Sequence, residues 1–174
     1  MGMRFALFCM MLPALLLTAC KKIEDDGGRS TDTQLAEPTG SYEIDRESGE
    51  IRATHTDAAG VTTRLQAGEN VAARFPAPFT AYPGSTITNT VLLDRGEAGS
   101  ITVEFTTPDP RGDVVRFYRE QAREAGIAPD VEVSAGDTTT LAGEDAGSRT
   151  RFALQVTETS GPAEAHVTIS RGLD

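Results

Sequence analysis

The chain has 174 residues, with 16 lysines and arginines against 26 acids and a formal net charge of −10. That balance, with no basic stripe to offset it, repels phosphate backbones and excludes nucleic acid as a partner. Lysine occurs only as Lys21 and Lys22, so a Schiff-base lysine would have to sit outside any folded core.

The first element is an apolar run from Phe5 to Leu17, preceded by Arg4 and broken only by Pro13. As a helix it would reach about 20 Å, short of the ~30 Å hydrocarbon core of a bilayer. Its length and flanks fit the apolar segment of an export signal. It ends in Leu17-Thr18-Ala19-Cys20, which resembles the lipobox of bacterial lipoproteins. The resemblance implies cleavage before Cys20, a diacylglycerol on the Cys20 thiol and an acylated (palmitate-type) amine. Lys21 stands where an aspartate would resemble the inner-membrane retention signal. The implied address is therefore the periplasmic face of the outer membrane. On this reading residues 1–19 are removed with one arginine and no acid, which takes the charge from −10 to −11. Cys9 is lost and Cys20 is blocked, leaving no disulfide and no thiol-based metal site.

Residues 20–40, from the lipid-bearing Cys20 through KKIEDDGGRSTDTQLAEPTG, read as a polar tether. Twenty flexible residues span roughly 25 Å, enough to hold a domain clear of a bilayer. Residues 41–74 form a β-hairpin region. Ile51, Ala53 and His55 alternate with polar residues before Asp57-Ala58-Ala59-Gly60, and Val61, Thr63 and Leu65 alternate after it. A three-residue loop closing at Gly60 pairs Asp57 with Val61, His55 with Thr63 and Ala53 with Leu65. That register keeps the apolar residues on one face.

Residues 75–174 make the expected α+β domain. Phe75-Pro76-Ala77-Pro78-Phe79 is a stiff connector and Tyr82-Pro83-Gly84 a tight turn. A strand over 86–93 places Ile87, Val91 and Leu93 on one face, and a second over 101–106 carries Ile101, Val103 and Phe105. A helix over about 110–125 follows. Asp109 is its cap, Pro110 its first residue, Gly126 its stop, and Val114, Phe117, Tyr118, Ala122 and Ala125 form its apolar stripe. Further strands are expected near 131–133 and 139–141, at 151–157 and at 165–170. The expected fold is a two-layer α+β arrangement: a mostly antiparallel sheet with one face covered by the single helix, preceded by the hairpin. The stretch from Tyr82-Pro83-Gly84 through Thr107, Asp109 and Phe117-Tyr118 to Ala125-Gly126 resembles a domain recurrent in small Gram-negative lipoproteins. Pro108 and Gly112 depart from its pattern. The resemblance implies a fold, with these residues as turn and core, and no activity.

The residues offer little chemistry. His55 and His166 have no metal-ligand spacing, and Ser85 and Ser148 lack a nucleophile context. Asp94, Glu97, Asp137, Glu144 and Asp145 fall beside glycines, where turn chemistry accounts for them, and none has EF-hand spacing. Paired acids of a glycan hydrolase would need two carboxyls about 5–10 Å apart in a cleft. Thr86, Thr88 and Thr90 are a candidate flat row for water or carbohydrate, and a common composition for a wet strand face. The expectation is a non-enzymatic, lipid-anchored envelope protein with no cofactor and no metal, working as an interaction or assembly module. The alternative is a small-ligand or glycan-binding module using a helix–sheet groove lined by Phe117 and Tyr118.

Overall fold

Alternating apolar and polar residues, cut by turn sequences, build almost all of this fold. The computed structural model describes residues 39–158 and 160–173. The strands are β1 (Thr39–Ile44), β2 (Ile51–Thr56), β3 (Thr62–Gly68), β4 (Thr86–Arg95), β5 (Ala98–Thr107), β6 (Val131–Ala135), β7 (Thr138–Asp145), β8 (Thr150–Thr157) and β9 (Ala163–Arg171). They form one antiparallel sheet in the order β1-β2-β3-β4-β5-β9-β8-β7-β6. Between β5 and β6 runs the helix α1 (Arg111–Glu124).

This architecture corrects the expected α+β class. About half of the described residues, 51%, lie in strands and only 10% in helix, so the fold is mostly β. A 14-residue helix is about 21 Å long and some 10 Å across, whereas nine strands at ~4.8 Å spacing span nearly 40 Å. α1 rests on β7 and β8 and cannot form a second layer over the whole sheet. The β2–β3 hairpin is part of that sheet too, since Leu65 pairs with Leu93 and Ala67 with Val91.

The core lies where α1 and the 71–82 connector cover β5, β9, β8 and β7. Their apolar residues meet in register: Ile101 opposite Ile169 and Val103 opposite Val167, Phe152 opposite Ile169, Leu141 opposite Leu154. Six aromatic rings fill the space above them. Phe79 stacks on Phe152 at 5.5 Å, Tyr82 on Phe105 at 6.0 Å, and Phe117 meets Tyr82 and Tyr118 edge-on at 5.1 Å. The connector is fastened to α1 by Gln121, whose side chain accepts the Thr80 N–H (3.0 Å) and donates to the Thr80 hydroxyl (2.9 Å).

Both ends of α1 are satisfied. The Arg111 N–H donates to the Glu158 carboxylate at 2.7 Å, a cap supplied from the β8–β9 loop. Asp109, expected as the cap, instead accepts the Tyr82 hydroxyl at 2.8 Å, and Pro110 occupies the cap position without a side-chain bond. At the far end Gly126 (φ +79) donates to Arg123, and Ile127 donates to Ala122 at 2.8 Å. This is a Schellman closure with the glycine in the left-handed position, and it delivers Ile127 fully into the core.

One further expectation is corrected in β4. Ile87 pairs with Phe105 toward the core, whereas Val91 and Leu93 point to the other side. The register shifts between Ile87 and Asn89, and a bulge residue there turns the rest of the strand over. The expected hairpin register is present: His55 faces Thr63, Ala53 faces Leu65, and the Asp57 N–H donates to Val61 at 3.0 Å. Thr39 and Gly40, expected at the end of the tether, belong to β1.

Candidate functional site

The expected site residues Leu17, Thr18, Ala19 and Cys20 lie outside the described residues. Among the described residues no three His, Cys, Asp or Glu side chains gather in a metal-binding group. No described helix is long and apolar enough to cross a membrane. His55 and His166 are both exposed on the side of the sheet away from α1. Three strands separate β2 from β9, roughly 19 Å at ordinary spacing, so the two imidazoles do not share a site. His166 Nδ1 lies 3.7 Å from Glu104.

Asp94 and Asp145 behave as turn residues, whereas Glu144 lies within β7. Asp94 accepts the Gly96 N–H at 3.3 Å, Asp145 accepts the N–H groups of Gly147 and Ser148, and Glu144 faces Arg151 at 3.3 Å. The Asp137 carbonyl accepts the Glu158 N–H. Asp45 joins them: the N–H groups of Ser48 and Glu47 hold its carboxyl below the usual carboxylate range. The Ser85 hydroxyl donates to the Tyr82 carbonyl at 2.7 Å and that of Ser148 to Thr150 at 2.8 Å, so both are tied into local turns. Thr86, Thr88 and Thr90 do not form a flat row. The bulge separates them, and Thr90 is fully buried with its hydroxyl unpartnered among the described residues.

Phe117 and Tyr118 meet edge-on at 5.1 Å, with Tyr118 fully buried in the core and Phe117 partly buried against it. Burial pushes the Tyr118 phenol well above its ordinary range. Tyr82 is raised to about 12, first by burial and then by its hydrogen bond to Asp109. The open groove lies elsewhere, near Ala125 at the C-terminal end of α1. It has a volume of about 730 Å³, a floor of Leu92, Ile101 and Ile169, a wall of Phe75 and Phe79, and a rim that includes Arg64, Arg74, Arg171, Asp94 and Glu97.

The second feature is the side of the sheet facing away from α1, which no described helix or connector covers and which changes character halfway across. Over β5, β9, β8 and β7 it is polar, with Thr102 bonded to Thr168 (3.0 Å) and Thr138 to Thr157 (2.9 Å). Over β1–β4 it is apolar. One row runs Ile44, Ile51, Ala67, Val91 and the next Tyr42, Ala53, Leu65, Leu93. Tyr42 is 65% exposed and Ile44 52%. Both belong to β1, a terminal strand of the sheet whose outer edge pairs with no described strand.

Sequence reasoning missed both features. The apolar half needs β1, and its signal is only two apolar residues, Tyr42 and Ile44, around Glu43. The groove rim draws arginines from β3, the connector and β9, which no local pattern links. Comparison with family models, curated proteins and solved structures returns no match.

Proposed function

We propose that this protein is a non-catalytic, lipid-anchored cell-envelope protein, acylated at Cys20 and held at the periplasmic face of the outer membrane. In this reading its β domain is an interaction module. The partner is an envelope protein that contributes an extended segment to the edge of β1 that no described strand pairs, and lays apolar side chains over the neighbouring rows. The lipobox-like Leu17-Thr18-Ala19-Cys20 supports the anchor. The apolar half of the open sheet carries the docking reading, because contiguous apolar surface without a cover marks an interaction site. An unpaired strand edge beside it specifies what fits: backbone groups in extended form, with apolar residues at alternate positions.

The test places a photo-reactive residue at Tyr42, or at Gln155 on the polar half, in the full chain in intact envelopes. The expected result is one discrete protein adduct from Tyr42 and none from Gln155. The cross-linked peptide should have alternating apolar residues, and Leu65→Asp should suppress the adduct. Equal labelling from both positions, no adduct at all, or an adduct between two copies of this chain contradicts the reading.

A further inference from the structure

We propose that the groove beside the C-terminal end of α1 binds an anionic amphiphile, with its acidic head on Arg74 and Arg171 and its apolar tail over Phe75 and Leu92. This site is on the side of the sheet opposite the docking surface proposed above and does not depend on it.

The groove has the size of a small-molecule site, about 730 Å³, and its two halves differ in chemistry. The apolar surface of the groove is Leu92 and the Phe75 ring, both partly exposed, backed by the buried Ile101 and Ile169. The rim holds three arginines in a chain whose net charge is −10. Most other arginines near an acid are paired at short range: Arg52 with Glu50 at 2.7 Å, Arg119 with Glu132 at 2.6 Å. Arg64 has only a distant, exposed contact with Asp94 at 3.9 Å. Among the described residues no ion pair joins Arg74 or Arg171 to a carboxylate, though Asp94 stands in the same cross-strand row as Arg171, through Gly99, with Glu97 in the adjoining turn.

An arginine recognises a carboxylate or phosphate with several donors at once. A wholly apolar ligand would make no use of these two exposed guanidinium groups, and a wholly polar anion would leave the apolar surface wet. A molecule with both parts satisfies both halves. A long-chain fatty acid and an anionic phospholipid share that chemistry.

The full chain is exposed, in neutral phosphatidylcholine vesicles, to three photo-reactive probes: palmitic acid, phosphatidylglycerol and, as the uncharged control, palmityl alcohol. Adducts are mapped by peptide mass spectrometry. The expected result is labelling of peptides containing Phe75 or Leu92 by at least one anionic probe, with about tenfold less labelling by the alcohol. The probe that labels identifies the source of the head group. Arg74→Ala with Arg171→Ala should reduce anionic labelling by about the same factor with an unchanged circular dichroism spectrum. Equal labelling by the alcohol, no labelling by either anion, or adducts confined to Tyr42 and Leu65 on the opposite face overturns the proposal.

Discussion

Tyr82 joins three layers of the structure through one side chain. Its ring stacks on Phe105 and meets Phe117, while its hydroxyl donates to Asp109 at 2.8 Å. Thr107, in turn, accepts the Asp109 N–H at 3.2 Å. The tyrosine of the turn, the threonine closing β5 and the aspartate before α1 thus form one tie between connector, sheet and helix. Tyr82→Phe keeps the ring contacts and removes the hydroxyl, so urea unfolding should show a loss of about 1 kcal/mol. The pH dependence has a definite sign. Folding raises the Tyr82 pKa from 10.0 to about 12, so its contribution is present below pH 10 and is lost as pH rises through about 12. Stability measured from pH 9 to 12 should fall less steeply in Tyr82→Phe than in the parent. An unchanged slope would show that the phenol is not coupled to folding.

The elements divide by how local their causes are. The β2–β3 register was legible because Asp57-Ala58-Ala59-Gly60 and the alternation on either side all act within about fifteen residues. The stop of α1 at Gly126 was legible for the same reason. Its start was not: Asp109 looks like a cap, but the capping carboxylate is Glu158, 47 residues away. The turnover of β4 was illegible because a bulge leaves no mark in the pattern of Ile87, Val91 and Leu93. The β7 strand holds another long-range constraint, at Gly143. A Cβ there would lie 2.9 Å from both the Ala128 carbonyl oxygen and the Pro129 Cα, and 3.1 Å from Ile127. Two of those neighbours are backbone, which cannot rotate away, so Gly143→Ala must displace β7 from the segment following α1. The expected cost in denaturant unfolding is about 1–3 kcal/mol. A variant as stable as the parent would show that this segment yields freely.

At the scale of the whole molecule, the sheet carries two apolar fields on opposite sides. On β5, β9, β8 and β7 the field is closed by α1 and the connector; on β1–β4 it faces away from them and is open among the described residues. The expected α+β class failed here. A sequence gives the alternation of each strand but not the side to which a neighbouring strand turns its apolar face, and one helix was assigned to cover everything. The candidate site was not legible in the sequence. Leu17-Thr18-Ala19-Cys20 speaks of an anchor, while the open rows and the arginine rim exist only after nine strands are assembled. An open apolar field suits a protein that is held beside its partner, so the account depends first on the anchor. Intact mass measurement of the protein purified from envelopes tests this directly. The account predicts a chain beginning at Cys20 and carrying the mass of a diacylglycerol and an acyl group, with the Cys20→Ala variant unlipidated and uncleaved at this position. An unmodified Cys20, or a first residue elsewhere, would contradict it.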